Sequence, residues 1–330
     1  MTARLLTSVC GLLVLLLVAL VSMLFGQAPL TVADVWTAIF AQASPVHETI
    51  VNQLRLPRML IGVLVGGSLG LAGAAMQGLL RNPLAEPGVV GVSGCAGLGA
   101  VLVFYSGLAV SVPLLLPLGG MLGALIAVVL LYVLTARGST IQTLILAGVA
   151  INAFAGAMTS LALNLSDNPF AAYEVVFWLM GSLADRSMDH VWLCLGPMLV
   201  GWALMLSAGR GLDGLSLGEV TATSLGVNLP RLRLQVILGT ALAVGAAVAV
   251  SGMIGFVGLV VPHILRPWLG HEPSRLLYWS TLGGAALVVV ADIIVRLAPT
   301  GIELKLGVVT ALFGAPFFLL ILRRMRRETL

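Results

Sequence analysis

Long apolar runs alternate with short polar breaks along the whole chain. Most runs approach the 20 or so apolar residues that a helix needs to cross a bilayer, and Pro, Gly or charged residues separate them. The sequence lacks the shorter segments of alternating polarity that predict a membrane β-barrel. The pattern therefore predicts an all-α membrane protein with about ten transmembrane helices. The predicted passes cover residues 5–25, 59–80, 91–108, 114–135, 141–163, 190–208, 232–250, 254–268, 276–296 and 307–322.

The composition agrees with this prediction and limits what else the chain contains. Of its 330 residues, 59% are hydrophobic and 9% are charged, and the mean hydropathy is +1.10, unlike an ordinary soluble domain. Spans and short connections use nearly all of residues 1–330, so we predict a single transmembrane domain. We do not expect an enzyme, and any energy source must lie on another protein. The first apolar run is longer than a signal-peptide core, which favours a retained span.

The basic residues predict the orientation, because Lys and Arg collect in cytoplasmic loops. With the N-terminus inside, twelve of the 17 Lys and Arg residues fall on the inner side. The prediction is therefore a multi-pass protein with both termini in the cytoplasm. The exceptions on the outer side are Arg55, Arg58, Arg186, Arg296 and Lys305.

An irregular segment interrupts the apolar pattern on the inner side, where residues 81–97 read RNPLAEPGVVGVSGCAG. Pro83 and Pro87 end the preceding helix, since proline lacks an N–H and restricts the residue before it. The glycines then allow tight turns before the chain re-enters the bilayer. Two interpretations remain open: a plain turn, or a segment that lines a wet cavity or packs against a moving part.

A second polar segment, residues 211–233, lies on the same side and is too polar to be a span. Ser216 and Glu219 have the spacing of a capping box for a short helix that ends at Gly226, and Pro230 starts the next element. An ordinary solvated loop is one interpretation. The many apolar side chains favour docking to a cytoplasmic partner instead. These are Leu215, Leu217, Val220, Leu225, Val227 and Leu229.

Three arginines stand out on the outer side. Arg55 and Arg58 flank Pro57 at the start of the second span, and Arg296 ends the ninth. They either pair inside the protein or meet an acidic external partner. Asp292 is four residues before Arg296 and can pair with it on one helical face, whereas Arg55 and Arg58 would need an acid distant in sequence.

The sequence contains no motif for ATP binding, metal binding or catalysis. The chain lacks GxxxxGK[ST], so it is not expected to bind ATP phosphates itself. Its histidines and cysteines lack metal-ligand spacing, and we predict no metal site and no catalytic residue. Asp292 is the one serious candidate for an ionisable relay inside the bilayer. An ion-coupled secondary transporter therefore stays open as an alternative function. The residues surveyed are His47, His190, His263, His271, Cys10, Cys95 and Cys194.

Six ordered motifs resemble one family, the permease subunits of ATP-binding-cassette (ABC) importers for iron chelates, haem and vitamin B12. The resemblance extends from about residue 52 to the C-terminus. It implies a ten-helix subunit of a bacterial inner membrane that forms a homodimer around the pathway. The motifs are RLPRMLIGVLVGGSLGLAGAAMQGLLRNPLAEPGVVGVSG, LILAGVAINA, FWLMGSL, LSLGEVTATSLGV, SGMIGFVGLVVPHILR and LGVVTALFGAPFFLLIL.

The resemblance also implies partners and a cargo. Two cytoplasmic ATPase subunits would bind ATP and Mg, one external binding protein would deliver the cargo, and this chain itself would hold no cofactor. A ferric siderophore is the first expectation for the cargo, with haem and then cobalamin as alternatives. Specificity would lie mainly in the binding protein.

Site residues carried over from the resemblance fall into three groups. The ATPase-coupling residues are Leu217, Gly218, Glu219 and Gly226, within a coupling loop of about residues 211–231. The residues at two cytoplasmic gates are Ser139 and Thr140 for one, and Asn82 and Leu84 for the other. The residues expected to contact glutamates of the binding protein are Arg55, Arg58 and Arg296.

Overall fold

The computed structural model describes residues 2–26, 28–40, 44–112, 114–135, 141–166, 169–298 and 304–328, and these residues form helices and no strand. A π-helix (Thr49–Arg55) and a 3₁₀-helix (Pro87–Val90) accompany sixteen α-helices. The α-helices are α1 (Thr2–Leu24), α2 (Val32–Phe40), α3 (Pro45–Glu48), α4 (Leu56–Leu80), α5 (Val92–Tyr105), α6 (Leu108–Ser111), α7 (Leu115–Thr135), α8 (Ile141–Asn164), α9 (Pro169–Leu179), α10 (Met188–Ser207), α11 (Gly209–Ser216), α12 (Glu219–Ser224), α13 (Leu229–Ser251), α14 (Val257–Leu269), α15 (Pro273–Leu297) and α16 (Leu306–Glu328).

The predicted all-α membrane fold is confirmed, and each of the ten predicted passes lies on a helix. Six of these helices are long and apolar enough to cross a membrane, namely α4, α7, α8, α10, α13 and α15. The other four contain shorter apolar stretches, in α1, α5, α14 and α16. We name the two sides of the protein by the orientation that the basic residues predict.

Helices α4 and α13 form the centre of the protein, and α15 packs along α4. The close approach of α4 and α15 depends on glycine. A Cβ atom on Gly70 would lie 2.0 Å from the carbonyl oxygen of Ser280, and one on Gly66 would lie 2.3 Å from that of Gly284. Small residues at this spacing let membrane helices approach until their backbones touch.

Two irregular segments lie next to the start of α16. Residues 180–187 follow α9, residues 252–256 separate α13 from α14, and α16 begins beside both. The amide of Ser182 donates to the carbonyl of Ser251 over 2.7 Å, and the amide of Gly307 donates to that of Gly181 over 3.4 Å. Such cross-segment bonds satisfy backbone groups that an interrupted membrane helix leaves free.

Several short helices outside the spans were not predicted from the sequence. α2, α3 and the π-helix lie between α1 and α4 on the outer side, and α9 precedes α10. Hydropathy over span-length windows does not detect them, because α2 has only 9 residues and α9 only 11. The outer side is therefore more structured than the loops that the sequence suggested.

Candidate functional site

The inner turn that contains the predicted gate residues Asn82 and Leu84 is built from unusual backbone. Arg81 ends α4 in the left-handed region with φ 48°, and Gly91 starts α5 with φ 79°. The Asn82 side chain accepts a hydrogen bond from the amide of Leu84 over 2.9 Å, which fixes the turn locally. Asn82 is exposed and Leu84 is half-buried, so both are accessible from the inner side.

The same turn packs against α8. A Cβ atom on Gly91 would lie 2.8 Å from the Ile151 side chain, and the 3₁₀-helix also contacts α8. The other predicted gate residues, Ser139 and Thr140, directly precede α8 in the sequence but lie outside the described residues. The inner turn therefore contacts α8, the helix that follows the predicted gate residues Ser139 and Thr140.

Glu86 is the residue of this turn whose role the sequence did not reveal. Its carboxylate oxygen Oε1 accepts a hydrogen bond of 2.8 Å from the amide of Phe256, the residue just before α14. Phe256 has φ 68°, a strained value for a side chain of that size. Burial raises the pKa of the Glu86 carboxyl, and the hydrogen bond from Phe256 opposes this shift. The inner turn therefore binds the residue that starts α14.

A second contact connects α4 to α14 nearby. The Gln77 side chain donates to the carbonyl of Gly258 over 3.2 Å and accepts from the Arg266 guanidinium over 2.6 Å. A Cβ atom on Gly258 would lie 2.9 Å from the ring of Pro87. The inner part of α4, the turn and α14 therefore form one connected polar and backbone network.

The predicted coupling loop consists of two short helices, α11 and α12, joined by Leu217 and Gly218. Gly218 has φ 106° and Gly226 has φ 84°, conformations that favour glycine. The predicted capping box is wrong: Ser216 is the last residue of α11, its hydroxyl donates to the carbonyl of Asp213, and Gly218 precedes α12.

The apolar side chains of this loop divide into two groups. Leu215 is buried, and Val227 and Leu229 pack against the core. Leu217, Val220 and Leu225 remain exposed, Val220 by 84%. Glu219 pairs with Arg233 of α13 over 2.9 Å. This ion pair and the buried Ala222 place α12 against the rest of the protein with Val220 facing outward.

A charge cluster on the outer side joins α4 to α15. The Arg58 guanidinium donates to Asp292 from Nε over 2.9 Å and from Nη2 over 2.8 Å, both to Oδ1. Arg296 Nε lies 3.1 Å from Asp292 Oδ2, so the predicted pairing of these two residues is confirmed. Asp292 is only 2% exposed. The Asp292 carboxylate therefore connects α4 to α15 through Arg58, and it pairs with Arg296 within α15.

Two of the outer arginines also fasten the end of α1. Arg296 donates to the carbonyls of Ser22 and Phe25 over 3.0 and 3.1 Å. Arg55 is 6% exposed and donates to the carbonyls of Met23 and Leu24 over 2.7 and 2.9 Å, and also to that of Ala28. Contact of Arg55, Arg58 and Arg296 with a binding protein stays a prediction, and the geometry gives all three a structural role.

An open apolar groove of about 600 Å³ lies along α16 where the irregular segments meet. None of the described residues that line it is ionisable. Among the described residues, no group of three or more His, Cys, Asp or Glu side chains is arranged to hold a metal ion. The groove is lined by Leu179, Met180, Met253, Gly307, Val308, Ala311, Leu312, Ala315 and Pro316.

Comparisons with known proteins match nearly the whole chain. The sequence profile of the FecCD transport family matches residues 13–324. A vitamin B12 import system permease protein of Vibrio cholerae is 43% identical over 297 residues, or 89% of each chain. An Fe(3+) dicitrate transport system permease protein of Escherichia coli K12 is 39% identical, covering 93% of this chain and 95% of the relative.

The fold is also found in a solved structure. An inward-facing structure of a transporter assigned to the metal-chelate type of ABC transporter superposes with a TM-score of 0.85 at 32% identity. The superposition covers 95% of this chain and 97% of the other.

Proposed function

The chain belongs to the FecCD transport family, and from this membership we propose that it is the permease of an ABC importer that carries a metal chelate across the cytoplasmic membrane of a bacterium. The observation that carries the proposal is the pair of short inner helices α11 and α12. They expose apolar side chains on a chain whose sequence contains no motif for ATP phosphates. Such a permease needs a separate ATPase.

We propose a separate site on this chain for each partner. α12, with Leu217, Gly218, Glu219 and Gly226, would dock against one of two cytoplasmic ATPase subunits, which bind ATP and Mg. An external binding protein would deliver the cargo at the outer side. A second copy of the chain would complete the pathway. The chain itself would hold no cofactor.

In this proposal the groove along α16 forms part of the pathway wall. Its apolar lining offers no charged or metal-binding group to a passing chelate, which suits a site that must release its cargo. Asn82 and Leu84 would form one inner gate, and Ser139 and Thr140 the other. The contact of the inner turn with α8 supports a mechanical connection between the two gates.

The two leading candidates for the cargo are a ferric siderophore and cobalamin. The family resemblance makes a ferric siderophore the first expectation, ahead of haem and cobalamin. The 43% identity to a permease named for vitamin B12 import favours cobalamin. Both are large metal chelates, and the apolar groove does not discriminate between them.

Reconstituted transport tests the function. The proteoliposomes contain the permease, its co-expressed ATPase and its binding protein. We expect transport of one of cobalamin, ferric siderophore or haem, and only when ATP is supplied on the side of the membrane where the ATPase is bound. An ATPase variant that cannot hydrolyse ATP is the control. Uptake driven by a proton gradient without ATP would instead support the ion-coupled alternative.

A substitution on α12 tests the docking site. We expect Val220→Asp to reduce co-purification of the ATPase and ATP-driven uptake, because it would bury a carboxylate in an apolar contact. Loss of a central contact costs about 2 kcal/mol, or roughly 30-fold in affinity. The measurement is the affinity of the purified ATPase for permease in nanodiscs.

The control at the same position is Val220→Leu, which keeps an apolar side chain. Val220 is 84% exposed, so both variants should melt at the wild-type temperature. Equal ATPase affinity for the Asp and Leu variants would contradict a docking role for α12.

A further inference from the structure

Helix α2 has three different faces at the outer end of α1. Val35 and Ala38 belong to one buried cluster with Met23 of α1 and Val51 of the π-helix. A second face is polar and contains Asp34 and Thr37. The third face points away from the described protein and is apolar.

The third face, called here the α2 stripe, consists of residues at helical spacing. Val32, Trp36 and Phe40 are four residues apart and are 70%, 63% and 69% exposed, with Ile39 beside them at 40%. The rings of Trp36 and Phe40 lie 4.6 Å apart between centroids. An apolar stripe of this size needs a partner, because exposed aromatic side chains are costly in water.

The polar face of α2 favours contact with water. The Thr31 hydroxyl donates to Asp34 over 2.6 Å, and the ring of His47 lies 3.5 Å from the same carboxylate. The hydrogen bond from Thr31 is the main reason that the pKa of Asp34 is lowered. Asp34 therefore remains ionised at neutral pH, and its face is the side of α2 least suited to lipid.

Helix α1, which contacts α2, also exposes apolar side chains. Leu13, Leu17 and Leu20 of α1 are all about as exposed as the stripe residues, and Phe25 after α1 is 47% exposed. Arg55 binds the carbonyls of the short connection from α1. The start of α2 is thereby held beside the outer end of a helix that the sequence predicts to span the membrane.

We propose that α2 lies in the outer membrane–water boundary with the α2 stripe inserted among phospholipid acyl chains. Tryptophan favours this boundary because its ring is apolar and its N–H reaches the headgroups. Amphipathic helices of this kind bury their apolar face about 5–10 Å into the boundary. The helix carries no Lys or Arg, so its insertion does not depend on anionic lipid.

Spin labels test this arrangement in the full-length chain. Cys10, Cys95 and Cys194 are first replaced by Ala, and single cysteines are then placed at Val32, Phe40 or Thr37 and labelled in phosphatidylcholine nanodiscs. We expect labels at 32 and 40 to collide several-fold more with oxygen, which concentrates in lipid, than with a water-soluble nickel complex. The label at Thr37, on the polar face, should show the reverse.

Two outcomes would overturn the proposal. Labels at 32 and 40 that are open to the nickel complex would place the stripe in water, and their later protection by added binding protein would identify a protein as its occupant. Shielding of both labels from oxygen and nickel alike would mean that a second copy of the chain covers the stripe.

A second measurement needs no label. Phe40→Gln should lower the melting temperature in nanodiscs, whereas Thr37→Gln should leave it unchanged, and neither result should vary with the fraction of anionic lipid. Equal melting of the two variants would contradict insertion of the stripe. The inference concerns the membrane boundary and holds whether or not the importer function is correct.

Discussion

Asp292→Ala is expected to destabilise the protein strongly, since it leaves two guanidinium groups without their carboxylate. Asp292 is 2% exposed and lies within hydrogen-bond distance of both Arg58 and Arg296. Removing one partner of a buried ion pair costs about 3–5 kcal/mol. A loss of this size lowers the melting temperature by roughly 10 °C in a soluble protein, and we expect a decrease of similar order in nanodiscs.

Three further variants identify the cause of that loss. Glu48→Ala removes an exposed acid on the same side and should leave the melting temperature unchanged. Asp292→Asn keeps the size and one of the two acceptor oxygens, so its loss should be smaller. Adding Arg58→Met to Asp292→Ala should recover part of the stability by removing a partly buried cation that has lost its carboxylate. Wild-type melting of Asp292→Ala would contradict a stabilising role for the cluster.

The ten spans could be predicted because each depends on local composition. A run of apolar residues crosses the bilayer wherever it lies in the sequence, and α14 was found even though it is short and contains Pro262 and Pro267. The outer helix α2 could not be found in this way. Its 9 residues include buried, exposed apolar and polar positions. Only the fold shows which residues form each face.

The candidate sites were predictable in position and less so in detail. The inner turn and the coupling loop stood out because polar residues interrupt apolar sequence. The partner of Arg58 did not, because 234 residues separate it from Asp292. The capping box at Ser216 failed for a local reason: Gly218 takes a φ of 106° that starts α12 without a side-chain cap.

Glu86 shows most clearly what tertiary structure adds to the sequence. The sequence presents it as one polar residue in a Pro- and Gly-containing turn. The structure joins it to Phe256, 170 residues away, at the positive end of α14. A carboxylate is favourable there because the first amides of a helix lack partners and carry partial positive charge.

Glu86→Ala is therefore expected to uncouple the importer. The amide of Phe256 would lose its acceptor, at a cost of about 1–3 kcal/mol for a buried group, and the inner turn would lose its side-chain hydrogen bond to the start of α14. Because Asn82 and Leu84 lie in that turn, we expect ATP-driven uptake to fall about tenfold while the partner continues to hydrolyse ATP. Amide hydrogen exchange in residues 252–262 should accelerate in the same variant.

The matched variant is Glu86→Gln, whose amide oxygen can still accept from Phe256. If the hydrogen bond holds the turn, Glu86→Gln should retain most of the uptake and the slow exchange that Glu86→Ala loses. If the charge of the carboxylate is what matters, both variants should fail equally, and the hydrogen-bond explanation is then wrong. Wild-type coupling and exchange in Glu86→Ala would contradict any role for this contact in gating, because the variant removes the hydrogen bond between the Glu86 side chain and the amide of Phe256.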